Sequence, residues 1–132
     1  LAIRELQELY ADAVNQKNKN QWIMLWDEGA NWIVAGQNNI GIEAIAAKWD
    51  DFYTPYNPKR GNLTRFYSCN PGFISINNDQ ATSRLYISVL IIFDIGIEKI
   101  YYFESSEEYI KRDSLWKIMK RNTIRIHPSS AL

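Results

Sequence analysis

The 132-residue chain carries 15 basic and 15 acidic side chains, so its formal charge is zero and its composition holds no electrostatic footprint for nucleic acid or an anionic membrane. Hydrophobic residues make up 46% and aromatics 14%, which suits one globular domain over residues 1–132 with more rings than a core alone needs. The lone cysteine, Cys69, excludes an internal disulfide and a multi-cysteine metal site and points to a reducing, cytoplasmic setting, and the longest apolar run, Val89–Phe93, is far too short to span a membrane.

Ile3, Leu6, Tyr10, Ala13 and Val14 recur at helical spacing, predicting an amphipathic first helix that the polar run Asn15–Gln21 interrupts. The segment WIMLWDEG then reads as a short second helix, with Trp22 and Trp26 on one side and a stop at Gly29. NWIVAG reads as a strand, and QNN before Ile40 has hairpin-turn chemistry. In GIEAIAAKWDDFY, residues Ile42, Ile45, Trp49 and Phe52 share a face of a third helix, ended by Pro55 and Pro58, and TPYNPKRGN is a loop.

The second half changes character. RFYSCNPGFISI, QATSRLYISVLIIFD, KIYYFESSEEYIKR and LWKIMKRNTIRI are four strand-like runs separated by the turn signals NND, IGIE and DS. Three helices, a hairpin and a long meander make an α+β domain: a curled, mostly antiparallel sheet wrapped around the helices as a cone with a cavity at its mouth. Over Leu85–Phe93 both strand faces are largely apolar. One face would meet the helices and the other a second subunit, giving a homodimer through the sheet, unless the strand is simply buried within the monomer.

Common catalytic signatures (GxGxxG, GxxxxGK[ST], HExxH, GxSxG) are absent, and no carboxylate cluster suits a metal. Cys69 and the single histidine, His127, form a nucleophilic pair only on paper; a strand thiol and a solvated tail imidazole are the simpler reading. Asp50–Asp51 reads as a solvated helix end. Glu107 shares parity with Tyr101, Phe103 and Tyr109, so it is either an acid with a raised pKa or an edge carboxylate paired to an Arg or Lys. Arg121, by parity with Met119 and Thr123, either clamps an oxyanion or covers sheet surface with its stem. Tyr10 and Asn15, at the inner end of the first helix, are candidate hydrogen-bonding partners for a ligand, with Asn15 as a plain helix end the alternative.

Together AIRELQELYADAVNQKNKNQW, LWDEGANWIVAG, GIEAIAAKW, TRFYSCNP and EEYIKRDSLWKIMKR resemble the SnoaL-like branch of the nuclear transport factor 2-like superfamily, of the scytalone dehydratase, lindane dehydrochlorinase and polyketide cyclase type. The resemblance implies a conical, cystatin-like barrel with an apolar pocket between sheet and helices, frequent dimers or trimers, secondary-metabolic chemistry, and usually no metal or organic cofactor. It also implies an aspartate before the strand tryptophan and a histidine after the arginine of an RH…NP phrase. Here those positions match Asn15, 17 residues before Trp32, and Phe66. A phenyl ring takes no proton, so the Asp–His mechanism is closed to the chain on this reading. Arg121 is kept, Trp32 and Trp26 are pocket wall, and the same register turns Phe66, Tyr86, Ser88, Tyr101, Phe103 and Thr123 toward the cavity.

Three functions fit. One is a cofactor-independent cyclase, isomerase or dehydratase acting on an apolar polyketide- or terpenoid-like substrate, with Arg121, Asn15 and Tyr10 as its working groups. Another is a non-catalytic binding or accessory protein of the same fold. The third is a lyase using a displaced acid, Glu107 or Asp12, with His127 reaching in from the tail.

Overall fold

A computed structural model of the chain describes residues 2–53, 56, 57, 61–94, 96 and 98–126. Helix α1 covers Ala2–Asn15 and buries the stripe read from its spacing, with Gln7 added. Asn18 then caps α2, Lys19–Ile23, by accepting the Gln21 backbone N–H through its side chain. This helix starts earlier and ends earlier than the sequence suggests. The Leu25 carbonyl accepts a 2.8 Å hydrogen bond from the Ile118 N–H, which draws the chain into the sheet, so Trp26–Val34 is strand β1 and not the end of a helix.

The expected QNN turn is also displaced. Ala35 and Gly36, at φ 52° and 73°, make the two-residue turn, and Gln37–Ile40 is strand β2. Helix α3, Ile42–Phe52, follows and buries Ile45 and Trp49. It stops where the Tyr53 N–H returns to the Trp49 carbonyl, while Pro55 and Pro58 lie outside the described residues.

Tyr56–Asn57 forms the minimal strand β3, so part of the expected loop pairs with the start of β4, Gly61–Asn77. The long strands continue as β5 (Gln80–Phe93), β6 (Glu98–Arg112) and β7 (Leu115–Ile126). Asn78 (φ 57°) and the pair Asp113–Ser114 (φ 49° and 66°) supply the left-handed residues their connecting turns need. Sheet order is β2-β1-β7-β6-β5-β4-β3, antiparallel throughout except where β1 lies parallel to β7. The sheet is curled but not closed: β2 is one edge and the short β3 the other.

Two irregularities shape the curl. Between Pro71 and Ile74 the β4–β5 register shifts; proline has no ladder N–H, and a Cβ on Gly72 would come within 2.7 Å of the Arg84 carbonyl oxygen. Between Glu108 and Tyr109 the β6–β7 register shifts as well, leaving Met119 extra on β7. The helices cover the concave face, where Trp22, Trp26, Trp32 and Trp49 pack ring on ring with Tyr10 at centroid distances of 4.8–6.2 Å. Trp22 and Ile45 are completely buried in this part of the core.

Among the described residues nothing covers the convex face. Phe66, Leu90 and Ile100 stand side by side across β4, β5 and β6, with Tyr102 and Ile124 beside them. The apolar character of both faces of Leu85–Phe93 therefore splits cleanly: odd residues meet the helices, and even residues point outward.

Candidate functional site

Strand parity decides which side chains reach the interior. Along β5 the alternation of buried Ala81, Ser83, Leu85, Ile87 and Val89 with outward even residues is unbroken. Tyr86, 43% exposed, and Ser88 consequently sit on the convex face, against the register inferred from the sequence. Phe66 does too, 58% exposed, because its partner Leu90 is an outward residue. The parity was misread because both faces of β5 are apolar, so the pattern alone does not say which row faces the helices. The side chains of the TRFYSCNP phrase that reach the cavity are Arg65 and Tyr67.

The cavity has a volume of about 320 Å³ and opens between the C-terminal end of α3 and the concave face of the sheet. Tyr10, Trp32, Tyr101, Phe103, Arg121 and Thr123, all read from the sequence as site residues, line it. Val34, Ile87, Val89 and Ile91 supply aliphatic wall, and Phe52 and Tyr53 close the α3 side. Trp26 does not reach it: this residue is buried behind Trp32 and Tyr10, with ring centroids at 5.8 and 6.2 Å.

At the floor stands Arg121, 2% exposed. Its Nη1 lies 2.7 Å from Oε2 of Glu107, which is also 2% exposed and is its direct cross-strand partner. Nη2 donates to the Tyr67 hydroxyl at 2.5 Å, and the guanidinium carbon lies 4.0 Å from the centre of the Tyr10 ring. Among the described residues neither Arg121 Nε nor the buried Tyr10 hydroxyl has a hydrogen-bond partner. Burial is the largest single effect on Arg121 and opposes its charge, but Glu107 together with Tyr10, Tyr67 and Tyr53 outweighs it and leaves the Arg121 pKa well above its ordinary value.

Glu107 is neither an edge carboxylate nor a free acid. It lies on central strand β6 with both oxygens engaged: Oε1 accepts from the Tyr109 hydroxyl, and Oε2 from Ser105 (3.4 Å) as well as from Arg121. The Tyr109 hydroxyl also meets Gln7 Nε2 and Ser83 Oγ, each at 2.9 Å, and Arg4 donates to Gln7 Oε1. A polar chain thus runs from the α1 surface through the core to the cavity floor, with Glu107 as the counter-charge that allows Arg121 to be there.

Asn15 has a different place from the one inferred. Its Nδ2 donates to the Tyr67 carbonyl at 2.9 Å, and its Oδ1 accepts the Tyr67 N–H at 2.7 Å. An amide reproduces the donor and acceptor of a neighbouring strand, so Asn15 docks α1 onto β4 and fixes Tyr67, while its side chain does not line the cavity. Tyr67 was missed for the same reason that Phe66 was overvalued: reading β4 in step with its neighbour's inward row would have found it.

Burial raises the pKa of Tyr67, Tyr10 and Tyr53, in each case against an opposing effect of Arg121. The three phenols are neutral donors, not phenolates. Because the Tyr67 oxygen already accepts from Arg121, its own hydrogen is free to donate to an oxygen in the cavity. Burial also raises the Cys69 thiol, which is half-buried and outside this cavity, so no reactive thiolate is prepared there; His127 lies outside the described residues. Among the described residues no three His, Cys, Asp or Glu side chains converge on a metal geometry, and the cavity lining contains no carboxylate.

The model of the SnoaL-like domain matches residues 1–122. Solved structures share the fold. A hexachlorocyclohexane dehydrochlorinase (LinA) of type 2 superposes with a TM-score of 0.74 at 18% identity, over 96% of this chain and 84% of that one. A scytalone dehydratase-like protein from Novosphingobium aromaticivorans gives 0.75 at 15% identity, over 96% and 83%. An NTF2-like protein of cystatin-like fold from the same organism gives 0.79 at 20% identity, over 98% and 82%. At these identities the likeness is one of fold alone. No curated protein sequence matches the chain.

Proposed function

Because the chain belongs to the SnoaL-like domain family, we propose that, as one domain of that kind, it binds an apolar, ring-bearing molecule in the aromatic cavity and polarises one of its oxygens with Tyr67 and Arg121. The chemistry is that of a cofactor-independent cyclase, isomerase or dehydratase on a polyketide- or terpenoid-like substrate. One observation carries this reading: a neutral phenol, held by a buried guanidinium that is itself charge-balanced, stands at the floor of a hollow walled mainly by aromatic and aliphatic side chains. Such a donor needs no reorganisation when charge develops on a carbonyl oxygen, and removing one comparable donor costs an enzyme about 10²–10³ in rate.

Three naphthalenes of one shape test it: 2-ethylnaphthalene, 2-acetylnaphthalene and 2-naphthoate. Titration calorimetry should show the ketone binding more tightly than the hydrocarbon, and Tyr67→Phe should erase that difference by removing the hydrogen that reaches the carbonyl. Acceleration by the protein of exchange of the ketone's methyl protons with deuterated water, lost in Tyr67→Phe, would support catalysis. The second reading, a non-catalytic binder, is favoured by the raised phenol pKa values, since they leave the described lining without a group that titrates near neutrality. Ketone binding with no exchange would select it, and failure of the ketone to bind would overturn both.

We further propose a homodimer through the convex face, in a reducing, cytoplasmic setting that suits the lone Cys69. The exposed apolar centre around Phe66, Ile100 and Tyr102 is bordered by the ion pairs Arg84–Glu104 and Lys120–Glu108, an apolar core within a polar rim. No helix among the described residues is long and apolar enough to cross a membrane.

A further inference from the structure

Among the described residues three arginines line the cavity, and they differ in one respect. Arg121 is balanced by Glu107. Arg65, half-buried on β4, and Arg125, exposed on β7, take part in no ion pair among the described residues, and no carboxylate shares the lining with them. Each is held against a ring: the Arg65 guanidinium carbon lies 5.2 Å from the centre of Tyr53, and that of Arg125 lies 4.8 Å from the centre of Tyr101. A guanidinium resting against a ring still has N–H groups to offer, and a carboxylate can meet such an edge with two hydrogen bonds.

Their placement is as informative as their charge. In the sheet, β5 and β6 separate β4 from β7, yet the curl turns both arginines into the same hollow. Along β7, Arg125 stands four residues from Arg121, about 13 Å at roughly 3.3 Å per residue. Among the described residues the cavity therefore has a balanced floor that can polarise an oxygen, an apolar ring-lined middle and a cationic rim with no ion-pair partner. A wholly apolar ligand would cover the half-buried Arg65 without offering its charge a partner, and burial already lowers the Arg65 pKa.

Resting on the reading of this cavity as a ligand site, we propose that its natural ligand is an organic acid: a flat, apolar ring body within the aromatic walls and an anionic group, of carboxylate type, between Arg65 and Arg125 at the mouth. The rim then selects by charge, the walls by shape, and the floor acts on an oxygen at the far end.

The matched naphthalenes distinguish this inference from the reading beneath it. With 2-naphthoate and 2-acetylnaphthalene, which differ chiefly in charge, the wild-type protein should bind the carboxylate about tenfold more tightly or better, with a preference that shrinks as salt is raised. In the double variant Arg65→Gln, Arg125→Gln the ratio of the two affinities should fall to near one, and each single variant should lie between. The ketone titration in every variant reports that the cavity is intact. Equal affinities in the wild-type protein, or a preference that survives both substitutions, would overturn the assignment and leave the proposed function standing. Binding of neither compound would overturn both.

Discussion

A charge buried beside its partner is inexpensive only while the partner stays. Arg121 and Glu107 are each 2% exposed and face one another across β6 and β7, so removing either leaves an ion in the core with no counter-charge. Glu107→Ala should cost about 3–5 kcal/mol of stability, read as a lower urea midpoint with unchanged slope. A loss below about 1 kcal/mol would mean that the pair is open to water. The phenols give a second prediction at this scale. For Tyr10, Tyr53 and Tyr67 the folded pKa is raised, so above the ordinary tyrosine value near 10 the unfolded chain sheds protons that the folded one keeps. Their contribution is complete below that pH and is lost as the pH rises. Urea midpoints should hold steady from neutrality to about pH 9 and then fall, and the phenolate absorbance owed to these three residues, read as the part lost in Tyr-to-Phe variants, should appear only together with unfolding.

For the elements, the joint between α1 and β4 is the revealing one. Asn15 offers β4 the hydrogen bonds that a neighbouring strand would have given, and Tyr67 owes its position to them. In Asn15→Asp the acceptor survives and the donor is lost, leaving the Tyr67 carbonyl beside a carboxylate. The cost should be about 1–3 kcal/mol, and the ketone's advantage over the hydrocarbon should weaken as Tyr67 shifts. An unaltered urea midpoint would mean that the joint bears no weight.

How far the elements could be read from sequence follows the same physics. Helices α1 and α3 and the four long strands were legible, because 3.6- and 2-residue periods record burial directly. The start of β1 was not, since parallel pairing with β7, 90 residues away, overrides local pattern. Inward residues were found on β6, where polar Glu104 and Glu108 mark the outer row, and missed on β5, where outward Tyr86, Leu90 and Ile92 are as apolar as the inward row. On β7 a one-residue bulge at Met119 shifts the parity in mid-strand, so Ile118 and Arg121 both turn inward. Asn15 and Phe66 were placed by likeness to a motif, and a motif carries no register of its own.

At the scale of the whole molecule, the convex face holds the remaining prediction. Phe66, Ile100, Tyr102 and Ile124 are a contiguous apolar row on a protein whose formal charge is zero, a combination that favours self-association. Sedimentation equilibrium should give a dimer at micromolar concentration, and Ile100→Lys, which sets a charge in the middle of the row, should give a monomer with the cavity's ketone affinity retained. A wild-type monomer at those concentrations would remove the case for pairing through this face.

The parallel contact of β1 with β7 also bears on how the chain is made. The strand that completes the wall behind Trp32 is the last in sequence order, so the aromatic cluster built by the first half has no backing until the final strand has been synthesised. Glu107 waits as well, since β6 is made before the strand that carries its guanidinium. Assembly must then be late and concerted, with refolding on the slow side for a domain of this size, in the millisecond-to-second range where distant strands have to find each other. A nascent chain halted ahead of β7 would expose indoles and an unmatched carboxylate together, which is the kind of surface a chaperone recognises.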